Sequence, residues 1–357
     1  MNDHPIYLRK HRKMEKISNY IKLVDNSLIE LAQKKSGLDK AIEQAIMSSG
    51  KRVRPVISLL MCEVFCGDYS PALPIAITFE LAHTASLIQD DIIDRSDTRR
   101  GKPSIYAQFG IEKAILTSDI LIFEIFNQLA EYEKWNLSSK KLYTLLKIIA
   151  ESSQATTIGE DQQMDMSGNL LISENEYFQM VRRKTGALIA APAASGAIVG
   201  GASEEGINIA YTFGLNLGIA FQLQDDLLDI LGNPKNIGKP IFKDLENRDN
   251  NLVIIHGLNN ASTQNKKFIL SLENKGTISP ENAEKVKNIL LKTGSIDYVM
   301  HLATEYYNES RTTLRKLKPG SARHKLLEIT HMLSNRAKTE AFLAFRENIR
   351  LNKHKTD

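Results

Sequence analysis

One domain built as a bundle of α-helices is the fold class this sequence predicts, on three observations. Apolar residues recur at three- and four-residue steps from end to end. Alternating strand patterns flanked by turn signals are almost absent. Proline and glycine fall between the periodic blocks. In chain order, ISNYIKLVDNSLIELAQ (residues 17–33) spaces Ile, Leu and Val for one helical face, and SSGKRVRP breaks the chain before the next helix. That helix carries both cysteines, Cys62 and Cys66, at i, i+4 spacing, read as buried thiols in a reducing compartment. After CGDYSPALP comes the helix ending in HTASLIQDDIID (83–94), then the turn RRGKPS. AILTSDILIFEIFNQL (114–129) and KKLYTLLKIIAESSQ (140–154) repeat the helical period. The uncharged run Thr185 to Ser203 nearly reaches membrane-span length, but its Ala, Gly and Ser content suits tight helix packing better. FQLQDDLLD (221–229) precedes the break LGNPKNIGKP, and ENAEKVKNILLKTGS (281–295) precedes KLKPGSA. HKLLEITHMLSNRAKTEAFLAF (324–345) closes the series. No linker divides the chain, so residues 1–357 are expected to form one domain, with charged extensions at about 1–14 and 346–357.

Composition sets the class. The 357 residues are 42% hydrophobic and 25% charged, which is ordinary globular usage with length for a large core. The net charge of +4 gathers at the two ends, where solvated termini explain it better than nucleic acid does. Residues 1–20 lack the apolar run of a secretory signal, which points to the cytoplasm.

The chemistry lies in two acidic runs. Residues i and i+4 of a helix sit about 40° apart around the axis. Asp90 and Asp94 of DDIID therefore project the same way, with Asp91 at the edge of that face. Carboxylates this close repel one another unless a cation sits between them. FQLQDDLLD repeats the device with Asp225, Asp226 and Asp229. All-oxygen sets suit hard cations, and Mg²⁺ combines a few carboxylates with substrate phosphates and water. A single such run is as often a solvated acidic face; two with the same spacing and apolar flanks are not. Two cation-holding runs imply a strongly anionic ligand, and basic residues stand beside them. GKRVRP supplies Lys51, Arg52 and Arg54, RRG supplies Arg99 and Arg100, RRKTGAL supplies Lys184 and Thr185, and NIGKP supplies Lys239.

These motifs, in this order over nearly the whole chain, resemble the trans-type isoprenyl (polyprenyl) diphosphate synthases. The resemblance implies a bundle of mostly antiparallel helices around a deep central cavity, assembled as a homodimer, with no nucleic acid and no membrane span. It implies condensation of isopentenyl diphosphate onto an allylic diphosphate (dimethylallyl, geranyl, farnesyl or geranylgeranyl) with Mg²⁺, three ions once substrate is bound. Asp90, Asp94 and Asp225 then match direct metal ligands, while Asp91, Asp226 and Asp229 match residues that hold metal-bound water or orient the ligands. Arg99, Lys184 and Lys239 match the grip on the allylic diphosphate. Gly50, Lys51, Arg54, His83 and Arg100 match the isopentenyl diphosphate site. Thr185 and Gln222 match residues whose oxygens face the allylic cation. The released diphosphate is the expected proton acceptor. A terpene cyclase would need neither GKRVRP nor a complete second acidic run. A weakly active partner subunit of a heteromeric synthase would be expected to have lost acids from one run, but an altered loop after the second run keeps that alternative open.

The chain departs from the family in one loop. The usual GKxxGxDxxxGKxT reads here GKPIFKDLENRDNNL, so Phe242 and Arg248 stand at glycine positions and Asp249 stands where a second lysine is common. Lys243 or Arg248 is expected to restore the lost charge. Gln89 stands where many relatives carry histidine. Product length is expected from the helix before Asp90: Ala85, Ser86 and Ala82 are small, and Phe79 is the first bulky floor. Phe123 or Phe126 is expected to close the opposite wall. The expected product is longer than twenty carbons, with geranylgeranyl diphosphate as the alternative.

Overall fold

Serine and asparagine write many of the helix starts. Ser138, Ser173, Ser203, Asn251, Ser262 and Ser279 each accept a backbone N–H of the first turn that would otherwise lack a partner. Ser173 does so in a reciprocal box with Glu176. The structure is a computed structural model and describes residues 16–35, 40–48, 50–232, 242–272 and 278–340. Its first half runs α1 (Ile17–Lys35), α2 (Lys40–Ile46), α3 (Val53–Cys66), α4 (Leu73–Ile93), α5 (Ile105–Phe109), α6 (Ile111–Ala130) and α7 (Ser139–Met166). The second half runs α8 (Glu174–Val181), α9 (Ala187–Val199), α10 (Glu204–Leu231), α11 (Lys243–Asn247), α12 (Leu252–Asn260), α13 (Thr263–Leu270), α14 (Pro280–Lys292), α15 (Ser295–Arg315) and α16 (Ser321–Glu340). Among the described residues the strands are two dipeptides, Thr98–Arg99 and Lys102–Pro103. They pair antiparallel across Arg100 and Gly101, both at positive φ, the backbone a tight two-residue hairpin needs. The all-helical expectation holds.

Two apolar cores meet at α10. Ala210, Phe213, Leu217 and Ala220 join the core shared with α1–α7 and α9, whereas Ile219, Leu223, Leu227 and Ile230 join the core shared with α8 and α11–α15. Alternation along one helix thus ties both halves together. The Ala/Gly/Ser run behaves as tight packing predicts. A Cβ at Gly196 of α9 would lie 2.2 Å from the Ser58 carbonyl of α3, so only glycine admits this approach. Ser58 Oγ donates to the Pro192 carbonyl at 2.9 Å, a second tie between the same two helices. Ser70–Ile93 is long and apolar enough to cross a membrane by composition, yet 67% of that window is buried inside the bundle. Cys62 is buried as expected, whereas Cys66 is exposed, because α3 ends there at left-handed Gly67.

Candidate active site

The first acidic run ends α4. Asp94 caps that helix, donating its N–H to the Asp90 carbonyl at 2.8 Å. Burial, then the charge of Glu160, pushes the Asp90 carboxyl up to about 6. Asp94 is raised by burial and then by Asp249. Lys184 opposes both shifts. Its ammonium sits 2.5 Å from Glu160 Oε2 and donates to Gln163 Oε1 at 2.9 Å. Gln163 in turn donates to Asp249 Oδ1 at 3.4 Å. Lys184 and Thr185 reach this place on a π-helical turn, Arg182–Gly186, inserted between α8 and α9. That turn presses on Gly159 of α7, where a Cβ would meet the Lys184 nitrogen at 2.5 Å. Glu160 and Gln163 were missed in the sequence. The signal is the glycine at 159 followed by acid and amide one turn apart.

Asp91 behaves differently from its neighbours. It is 3% exposed, and the Arg99 guanidinium forks onto its Oδ1, with Nε at 2.8 Å. Asp91 therefore sets where Arg99 lies. The second run repeats the contrast. Asp226 is 1% exposed and accepts from Tyr177 Oη at 2.6 Å, the Leu252 amide at 2.7 Å and Gln222 Nε2 at 3.1 Å. Burial and then Asp244 push its carboxyl up to about 7, against those donors. Thr185 Oγ1 donates to Gln222 Oε1 at 3.0 Å. Asp229 accepts the Lys243 amide at 2.9 Å and is raised by burial and Asp244. The Lys243 ammonium pairs with Glu246 at 3.8 Å, and the Arg248 side chain lies against Gly168. Lys239 lies outside the described residues.

The basic residues gather elsewhere. A cavity of about 650 Å³ is lined by Gly50, Lys51, Arg54, His83 and Arg100, and Arg99 and Asp225 reach it too. Arg54 Nε and His83 Nδ1 are buried there without a hydrogen-bond partner. Burial drives the Arg54 guanidinium down to about 10, and burial plus nearby arginines hold the His83 ring neutral. Unpartnered buried nitrogens beside excess positive charge describe a site waiting for an anion. Arg52 has another task. It adopts φ 50° and binds Asp25 at 2.8 Å and Glu80 at 2.5 Å, tying the start of α3 to α1 and α4.

Of the helix residues leading into Asp90, Phe79 and Ala85 are buried in the first core, while Ala82 and Ser86 are partly exposed. Ala85 packs where α6 crosses, and Ser118 Oγ donates to its carbonyl at 3.4 Å. Phe123 and Phe126 are corrected: at 66% and 58% exposed they point away from the bundle, because Leu121 and Ile125 are the side chains α6 buries.

The donor set would fit a hard divalent cation. The carboxyls are oxygen ligands, and burial first and neighbouring carboxylates second raise Asp90 and Asp94, a cost that a cation would offset. Among the described residues no three acids, histidines or cysteines form a closed metal cluster.

Comparisons with known proteins agree with this geometry. A family model described as Polyprenyl synthetase matches residues 35–290. The chain is 33% identical over 284 residues to geranylfarnesyl diphosphate synthase of Aeropyrum pernix, covering 79% of this chain and 88% of that one. The geranylgeranyl pyrophosphate synthetase structure from Pyrococcus horikoshii superposes with TM-score 0.81 at 31% identity, covering 90% of this chain and 97% of that one. A polyprenyl synthase from Caulobacter crescentus, complexed with calcium and isoprenyl diphosphate, superposes with TM-score 0.78 at 25% identity, covering 91% and 99%.

Proposed function

Because the chain belongs to the polyprenyl synthetase family, a family of prenyltransferases, we propose that it condenses isopentenyl diphosphate with an allylic diphosphate into a trans-polyprenyl diphosphate. The observation that carries this reading is the cavity in which Gly50, Lys51, Arg54, His83 and Arg100 converge with Arg99 and Asp225. Two diphosphates fit such a division, one held by cations of the protein alone and one by carboxylate-bound metal. Calcium and isoprenyl diphosphate bound to the Caulobacter relative support the ligand class.

In this mechanism Gly50, Lys51, Arg54, His83 and Arg100 bind isopentenyl diphosphate through its phosphate oxygens. Arg99, Lys184 and Lys239 hold the allylic diphosphate, and Asp90, Asp94 and Asp225 hold Mg²⁺, three ions with substrate present. Mg²⁺, when bound, supplies charge neutralisation for the departing diphosphate. As the allylic C–O bond breaks, the cations of the chain retain the leaving group and the oxygens of Thr185 and Gln222 face the carbon that turns positive. The isopentenyl double bond attacks that carbon. A proton then leaves the new chain for the released diphosphate, so no side chain needs to act as base. The elongating tail runs past Ser86 and Ala82 towards Phe79, which favours a product longer than twenty carbons. The geranylfarnesyl diphosphate synthase relative supports that length, and the Pyrococcus relative supports geranylgeranyl diphosphate as the second reading. The exposed apolar face of α6, with Ile115, Leu116, Ile120, Phe123 and Phe126, suits a second copy of the chain. The enzyme works in the cytoplasm as one catalytic domain.

Asp90→Ala and Asp225→Ala test the metal assignment. Each removes charge stabilisation of the departing diphosphate and is expected to cost at least ~10²–10³-fold in rate with the fold intact. Turnover near wild type in either folded variant means the assignment is wrong.

A further inference from the structure

The middle acid of each aspartate run is the buried one, and in the second run its three donors impose a direction on a neighbour. Asp226 Oδ2 takes the Tyr177 hydroxyl and the Leu252 amide, and Oδ1 takes Gln222 Nε2. In each of these contacts a carboxyl oxygen of Asp226 is the acceptor. An accepting oxygen offers its partner only a lone pair. Gln222 can therefore meet it only with the amino end of its amide. The carbonyl end is left facing Thr185, whose hydroxyl donates to it at 3.0 Å. An amide alone could sit either way round, since its two ends have nearly the same shape. Asp226 removes that freedom.

We infer that Asp226 is a positioning residue that locks the Gln222 amide with its carbonyl oxygen, not its amino group, towards the reacting carbon. This rests on the reading that Thr185 and Gln222 face the allylic cation. The electrostatic consequence is direct: reversing the amide would turn an attractive dipole into a repulsive one beside developing positive charge. The lock is stiff because its parts come from separate elements. Tyr177 is on α8, Leu252 opens α12, and Asp226 and Gln222 are one turn apart on α10. Asn251 Nδ2 also donates to the Asp226 carbonyl at 3.1 Å, pinning the start of α12 to the same turn. Both Asp226 oxygens are thus occupied by protein donors, whereas Asp225 beside it reaches the basic cavity. The two acids divide the work, one towards ligand and one towards the protein.

Asp226→Asn is the test, because asparagine keeps the shape and the two acceptor contacts while offering an amino group to Gln222. That lets the amide reverse. The expected result is a kcat lower by ~10–100-fold with KM for both diphosphates within ~3-fold of wild type. The rise in Tm on adding Mg²⁺ with inorganic diphosphate should persist in this variant. Loss of that rise would make Asp226 a metal ligand and overturn the proposal, as would an unchanged kcat. Gln222→Met separates the proposal from the reading beneath it. This variant should lose a similar factor in kcat, and adding Asp226→Asn to it should cost nothing more, since the amide is gone. Full kcat in Gln222→Met would overturn the cation-facing reading itself. A slow Gln222→Met beside a normal Asp226→Asn would overturn the positioning alone. Should Asp226→Asn fail to fold, neutron diffraction of the wild-type protein reads the same point. Deuterons on the Gln222 atom facing Asp226 are expected, and deuterons on the atom facing Thr185 would contradict the lock.

Discussion

Phe242 and Arg248 bracket α11 at φ 60° and 64°, a left-handed backbone that L-residues with a side chain enter at a cost of roughly 1–2 kcal/mol each. Both stand where the family loop has glycine, so the chain keeps the glycine backbone without the glycines. Phe242 has compensation. Its side chain is fully buried in the second core, worth about 1.5–3 kcal/mol, and its amide donates to the Asp229 carbonyl at 2.7 Å. Arg248 is only half-buried, so its strain is the more visible. Comparing Arg248→Gly with Arg248→Ala isolates it, because both remove the same guanidinium and only alanine keeps a Cβ. The glycine variant should be the more stable by about 1 kcal/mol in denaturant unfolding. Equal stability would mean the loop relaxes out of this backbone. The motif comparison pointed to these positions through the missing glycines, but the φ values had to come from the fold.

Helix α4 leads into the first acidic run and carries the wall proposed to set product length. Ser86 is about 40° around the axis from Asp90, and Phe79 about 20°, whereas Ala85 is turned about 140° away. Ser86 is partly exposed and Ala85 is buried against α6, which agrees with that phase. Ser86→Phe should therefore shorten the product by at least one five-carbon unit, and Phe79→Ala should lengthen it, as chromatography of the dephosphorylated products would show. Unchanged product lengths in both would mean the tail follows another wall. Much of this element was legible in the sequence, because the 3.6-residue period assigns Asp90, Asp94 and Ser86 to one face from spacing alone. Partners across elements were not. Nothing local to Asp226 announces Tyr177, 49 residues away, or the Leu252 amide. The π turn was equally hidden, since the contact that accompanies it is with Gly159 of another helix. Phe123 and Phe126 were misassigned because periodicity gives a helix two apolar faces here without saying which one the bundle covers.

At the scale of the whole molecule, α6 is apolar on both sides. One side buries Leu121 and Ile125; the other leaves Ile115, Leu116, Ile120, Phe123 and Phe126 outward. Covering such a face is worth roughly 25 cal/mol for each Å² of apolar surface removed from water. A homodimer through α6 is expected by sedimentation at micromolar concentration, and Phe123→Asp should release monomers. A wild-type monomer at tens of micromolar would remove the dimer. The bundle holds the two aspartate runs on α4 and α10 and the basic cavity at the start of α3, an arrangement suited to joining two diphosphates. The measurement that tests this most directly is incubation of the purified protein with Mg²⁺, labelled isopentenyl diphosphate and each allylic primer, with separation of the products by length. The account predicts incorporation of label into a prenyl diphosphate longer than twenty carbons. No incorporation with any primer would contradict the condensation, and a chain that stops at fifteen carbons would contradict the tail path along α4.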